Sequence, residues 1–172
     1  MIDRIPTLYV YASLQRNERC IYITGDVETS VVMQQIRNLS ESMDVSGDLI
    51  ILDKSEIYSK NGKFSPDKLI AMIRNLVETA TNDGYSALSI TGELSWVLDY
   101  EDGQDLIIEY EWKLNEYIFD QYPVSALCRY NQSKFPDSLI RNIIQLHPII
   151  LWKTESMKIH IIFLQKDSKR KI

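Results

Sequence analysis

Three apolar segments of this chain run out into a carboxylate: Ile23-Thr24-Gly25-Asp26, Leu52-Asp53 and Ile90-Thr91-Gly92-Glu93. A fourth acid, Glu111, sits inside the apolar repeat of "LIIEYEWKLNEY". Carboxylates gathered at one edge can bind a cation, take up a proton or orient a polar ligand. Asp and Gly also punctuate turns and cap helices, which is the plainer account of Asp26. Glu111 is the sharper signal. Projected at about 100° per residue, Asp105, Glu109, Lys113, Glu116 and Asp120 gather on one side of a helix. Ile107, Ile108, Tyr110, Leu114 and Ile118 lie opposite, with Glu111 near the middle of that arc and Asn115 one turn on. Burying a lone carboxylate is costly, so Glu111 must be hydrogen-bonded, paired, protonated or facing a cavity. Two accounts stay open. One is a structural partner such as Arg129 or a backbone amide; the other is a polar contact in a small-molecule pocket walled by Trp96, Tyr110, Trp112 and Tyr130.

The elements that must position these residues alternate along the chain. Strand patterns cover Cys20 to Thr24, Leu49 to Asp53, Ala87 to Thr91, Val124 to Tyr130, Pro148 to Trp152 and Lys158 to Leu164. The first five are apolar on both faces, as strands covered by helices on each side should be. Helical periods fill Pro6 to Arg16, Glu28 to Leu39, Gln104 to Phe119 and Pro136 to Leu146. Another helix begins at Ser65, a suitable N-cap, with Pro66 at its first position. This order predicts an α/β fold: a mostly parallel sheet flanked by helices on both faces, with a C-terminal antiparallel strand after the polar turn "KTES". In such sheets ligands bind beyond the carboxyl ends of the strands, so Asp26, Asp53 and Glu93 are predicted to share one rim. The 172 residues suit one domain, here 1–165, followed by a basic tail at 166–172.

Several classes of function are disfavoured. A net charge of −5 argues against direct nucleic-acid binding. No apolar run approaches a membrane span, and "MIDRIPTLYVY" breaks any signal segment with an acid and a proline, so a cytoplasmic protein is expected. All six glycines stand alone, so no glycine-rich phosphate cradle is present, and an acidic rim repels phosphate. Cys20 and Cys128 lie far apart, each in a strand pattern, which is neither a disulfide framework nor a metal spacing. Buried, reduced thiols are expected. His147 follows Ile140, Ile143 and Ile144 at a helix end and reads as a histidine satisfied by carbonyls and the helix dipole. His160 alternates with Ile159 and Ile161 as an outward residue. No catalytic residue, metal or cofactor is therefore expected, and the chain is read as a non-enzyme. The alternatives are a diverged metal-dependent hydrolase using Glu93 and a dimerising scaffold without ligand.

The runs "RNERCIYI", "NGKFSPDKL", "GYSALSITGELSWVL", "LIIEYEWKLNEY" and "VSALCRYNQSKFPDSLIRNIIQLHP" resemble, in that order, the MEDS family, the methanogen/methylotroph, DcmR sensory domain. The resemblance covers about Arg16 to Trp152. It implies a RecA/KaiC-like core without a working phosphate loop, and a sensory domain of methanogenic archaea and methylotrophs for small carbon compounds. The implied partners are a small organic ligand, a histidine kinase or transcription regulator, and a second copy in a homodimer. Carried over residue by residue, it puts forward Arg19, Glu93, Trp96, Tyr110, Glu111, Asn115 and Tyr130 as candidate ligand-binding residues. Family members usually begin with a further strand bearing a histidine and aromatics. Only Met1 to Ile5 precede the first helix here, so that strand is expected to be missing. No kinase or DNA-binding domain is expected after Leu164, so output passes through a partner.

Overall fold

The computed structural model describes residues 4–39, 47–57, 63–147, 149–153 and 158–163. Its elements run α1 (Ile5–Leu14), β1 (Glu18–Thr24), α2 (Thr29–Leu39), β2 (Leu49–Asp53), α3 (Lys54–Ile57), α4 (Pro66–Asn82) and β3 (Ala87–Glu93). A 3-10 turn (Ser95–Asp99) leads into α5 (Gly103–Leu114), which ends in a π turn (Asn115–Phe119). Then come β4 (Val124–Asn131), α6 (Asp137–Gln145), β5 (Ile149–Lys153) and β6 (Lys158–Phe163). The 166–172 tail lies outside the described residues, as does the side chain of His160.

The six strands form one sheet in the order β2-β1-β3-β4-β6-β5. The first four are parallel, while β6 runs antiparallel to both β4 and β5. Because β1 sits between β2 and β3, strand order reverses there, and the carboxyl ends of β1, β2 and β3 lie on one edge as expected. Register pairs Thr24 with Asp53, Ile23 with Gly92, and Gly92 with Cys128.

Alternation along the strands sorts side chains onto two faces. Ile21, Ile23, Leu88, Ala126, Cys128 and Tyr130 face α4, α5 and α6, forming the larger core with Ile73, Val77, Ile107, Leu114 and Ile143. Cys20, Tyr22 and Leu49 face α1 and α2, where Val10, Leu14, Val32 and Ile36 cover them. Under α1 a polar chain replaces part of that apolar cover. The Tyr9 hydroxyl meets Ser125 at 2.7 Å, Ser125 meets Ser89 at 2.9 Å, and Ser89 donates to Glu18, whose other oxygen holds Arg16 at 2.6 Å. These bonds satisfy Glu18, which is otherwise buried.

Local signals account for the long helices. Ser65 accepts the Lys68 amide at 3.4 Å with Pro66 behind it, opening α4. Lys113 on the polar side of α5 reaches Glu109 at 2.6 Å and also meets Asp67 on α4, tying the two helices. One expectation fails at the sheet margins. β2 and β5 are the outer strands, and Ile50, Ile149, Ile150 and Leu151 are each more than a third exposed. An outer strand lacks a neighbour whose helix would close over it, so apolar composition there does not mean burial on both faces.

Candidate functional site

The carboxyl rim brings Asp26, Asp53 and Glu93 to one edge, but each carboxylate is engaged locally. Asp26 accepts Lys134 at 2.8 Å and Lys54 at 3.4 Å, and the Lys134 bond holds its carboxyl below the ordinary range. Asp53 accepts the Ser55 hydroxyl at 2.5 Å and amide at 2.8 Å, which likewise lower its pKa. Glu93 is still within β3, paired with Arg129, and one of its oxygens accepts the Ser95 amide at 3.1 Å and the Ser95 hydroxyl. Gly25 completes this rim for a steric reason. A Cβ there would lie 2.9 Å from Glu93 Cβ, so only glycine lets the loop after β1 pass the end of β3.

Glu111 is in a different place. Its residue exposure is 0%, which matches the reading of a carboxylate inside an apolar helix face. The Tyr130 hydroxyl donates to Oε1, and His147 Nε2 lies 3.3 Å from Oε2. His147 Nδ1 contacts the Ile143 carbonyl oxygen, one turn back in α6. A carbonyl only accepts, so Nδ1 carries a hydrogen. Nε2 is then the ring nitrogen turned toward Glu111 Oε2.

Neighbouring elements fix this geometry. Cys128 and Tyr130 are two apart in β4 and so emerge on one face, beneath α5. Asn115, at the π turn, donates to the Glu111 carbonyl and to the Leu146 carbonyl, both at 3.1 Å. It thereby clamps the last turn of α5 to the residue before His147. Cys128 completes the group: donor atoms of Glu111, Cys128 and His147 all lie within 4.8 Å of one another. Burial, reinforced by the Glu111 charge, pushes the Cys128 thiol and the Tyr130 hydroxyl well above their usual ranges. Cys20, on the other face, is pushed to about 12 by burial and Glu18. Both thiols are therefore expected to ignore an aromatic disulfide reagent at mildly alkaline pH in the folded chain, and to titrate once it unfolds. A fast-reacting thiol in the native protein would contradict their placement.

An apolar cavity of ≈ 30 Å³ adjoins this group, lined among others by Ile90, Gly92, Tyr110, Leu114, Ala126 and Cys128. A second, of ≈ 20 Å³, shares the Tyr110, Ile73 and Ile90 wall. Both lie under the carboxyl half of β1 and β3, where strand order reverses.

The candidate residues thus separate. Glu111, Asn115 and Tyr130 form one cluster, and Tyr110 walls the cavity beside it. Trp96 is buried in an aromatic group, edge-on to Phe64 at 4.9 Å, and Phe64 in turn lies 6.3 Å from Tyr110. Arg19 stands at the opposite end of the sheet, paired with Leu88, five residues or about 16 Å of strand from Glu93. It binds Asp83 at 2.7 Å and stacks on Tyr85. Of the side chains the sequence offers as neighbours of Glu111, Tyr130 is the one that bonds it. Arg129 does not reach it, because alternation turns Arg129 to the other face, where it donates to the Ile23 carbonyl at 2.6 Å and the Tyr22 hydroxyl at 3.1 Å. The same alternation gives Glu93 the face of Arg129 and separates it from Glu111.

Sequence reasoning offered Tyr130 beside Glu111 but missed Cys128 and His147. Cys128 reads as an inert thiol and His147 as a capping histidine. The capping contact is present, but it occupies only Nδ1. The available signal was the i, i+2 spacing of Cys128 and Tyr130, which places a thiol beside whatever Tyr130 contacts.

Among the described residues no helix is long and apolar enough to cross a membrane. None of the curated proteins compared with the chain matches it. Residues 4–148, most of the sequence, match the family model of MEDS, the MEthanogen/methylotroph, DcmR Sensory domain, and the chain belongs to that family of sensory domains.

Proposed function

We propose that the chain is a non-catalytic sensory domain that encloses a very small organic molecule in the cavity under β3, β4 and α5. Occupancy is relayed to a separate histidine kinase or transcription regulator. The observation that carries this reading is the cavity itself. Its ≈ 30 Å³ has room for about two water-sized groups, which suits one- or two-carbon compounds. Its walls are apolar, with Tyr110 and the Glu111–Tyr130–His147 group nearby to meet a polar end. A RecA/KaiC-like ancestry that has lost its phosphate loop accords with a cavity placed where strand order reverses. Family membership supports a sensory role. Relay would run through α5, which carries Tyr110 and Glu111 inside and the exposed Trp112 outside.

The test is a methyl-resolved NMR titration with one- and two-carbon alcohols, amines and halocarbons. Saturable shifts centred on Ile90, Leu114 and Ala126 are expected for at least one compound. A Cβ at Gly92 would meet Ile23 at 3.6 Å, an ordinary contact, so Gly92→Ala narrows the cavity without straining the strand. It is expected to weaken binding about tenfold or more while leaving stability unchanged. No saturable shift across the panel, or binding indifferent to Gly92→Ala, would overturn the reading.

A further inference from the structure

We propose that Glu111, Cys128 and His147 form a binding site for a single divalent transition-metal ion of the zinc type. Three donors of different chemistry converge from three elements: a carboxylate from α5, a thiol from β4 and an imidazole from the end of α6. All three residues are buried, and the side chains of Glu111 and His147 have no exposure at all. Their donor atoms lie within 4.8 Å of one another. A tetrahedral ion with bonds of about 2.0–2.3 Å holds its donors about 3.3–3.8 Å apart, so the group needs to contract by only about 1 Å.

The surroundings orient these donors as metal ligands are usually oriented. Ligating histidines commonly give their second ring N–H to a backbone carbonyl, which fixes the tautomer. His147 Nδ1 is so placed against Ile143, leaving Nε2 turned toward Glu111 and Cys128. Ligating carboxylates are in turn hydrogen-bonded. Tyr130 donates to Oε1, and His147 Nε2 is the group that faces Oε2. Tyr130 and Asn115 are positioning residues on this account, because they act through Glu111 and the turn before His147.

Charge balance favours a divalent ion. A carboxylate and a thiolate bring two negative charges and a neutral imidazole brings none. Sulfur binds as the thiolate, giving its proton to solvent, and a divalent ion then leaves the loaded site neutral. A buried site that is neutral when loaded avoids the large cost of burying an uncompensated ion. Thiolate, imidazole and carboxylate together suit zinc or cobalt better than calcium or magnesium, which favour all-oxygen shells. Three protein ligands leave a fourth position, as in zinc sites that keep an exchangeable ligand.

Cobalt is the probe, because a thiolate-bound Co²⁺ ion shows a charge-transfer band and tetrahedral d–d bands. The full chain is unfolded with chelator, refolded with and without Co²⁺, and checked for native circular dichroism, since buried donors load most readily as the fold closes. The expected result is one equivalent bound with a thiolate-to-cobalt band, bleached by Zn²⁺. Cys20→Ser should keep that band and Cys128→Ser should lose it, while Tyr130→Phe should weaken binding about 10–100-fold. A natively folded wild-type chain without the band would overturn the proposal, as would a band that survives Cys128→Ser or vanishes in Cys20→Ser. No organic ligand enters the measurement, so its outcome is independent of the sensory reading above.

Discussion

Replacing Glu111 by leucine is expected to destabilise the folded chain by about 3–5 kcal/mol, the range for removing one member of a buried, hydrogen-bonded pair. The carboxylate is the partner of both the Tyr130 hydroxyl and His147 Nε2, and none of the three residues has water to turn to. Leucine fills similar space, so the cost is that of stranding two polar groups, not of a cavity. Glutamine keeps the shape and one acceptor for Tyr130, and offers an N–H to the imidazole, so Glu111→Gln should cost less, about 1–3 kcal/mol. Urea unfolding of the two variants, with Tyr130→Phe and the Tyr130→Phe/Glu111→Gln double variant, separates pairwise coupling from local loss. A Glu111→Leu chain within about 0.5 kcal/mol of wild type, the spread of surface substitutions, would show that the carboxylate is not held in this pair. If Glu111 also meets the sensed molecule, Glu111→Gln should weaken the ligand response by more than its effect on stability explains.

The second large effect is steric. Gly103 opens α5, the helix that delivers Tyr110 and Glu111, and a Cβ there would lie 1.7 Å from the Val97 carbonyl oxygen and 2.7 Å from its carbon. Both are backbone atoms of the preceding 3-10 turn, so no rotamer change relieves the overlap. Either the turn or the first residues of α5 must move. Overpacking usually costs about 1–3 kcal/mol and more where backbone is displaced, and Gly103→Ala is expected at or above the top of that range. Because Val97 and Ile107 are fully buried against the same core, the displacement should also disturb the cavity wall. Gly92→Ala is the matched control, since its added methyl makes only ordinary contacts. Thermal unfolding of the two variants should differ by several degrees or more. A Gly103→Ala chain as stable as the control would mean that the turn before α5 is set differently.

Much of this molecule is legible from its sequence, for reasons that are local. Apolar runs of strand length, separated by stretches of helical period, point to a mostly parallel sheet with helices on both faces. Period and turn chemistry are properties of neighbouring residues. Ser65 and Pro66 mark the start of α4 because capping needs only the residues beside it. Glu111 could be foreseen as buried, since its place in the apolar arc of a helix follows from spacing alone. The exit of β1, β2 and β3 to one edge also follows, once the connections are read as parallel crossovers.

What a carboxylate touches is another matter. Arg129 and Tyr130 were equally near to Glu111 by sequence, and only the register of β4 under α5 decided between them, by turning Tyr130 in and Arg129 out. Arg19 shares a strand with the rim residues but stands at its other end. Cys128, Glu111 and His147 carry no motif, because their meeting depends on how α5 and α6 pack on one face of the sheet. The exposure of Ile149, Ile150 and Leu151 depends on which strand lies outermost. By itself, the sequence determined the elements, their order and the burial of Glu111, through short-range spacing and apolar periodicity. The tertiary structure decided the partners of Glu111, the group it forms with Cys128 and His147, and the cavity beside them. Those contacts join residues distant along the chain, and packing alone sets their separation.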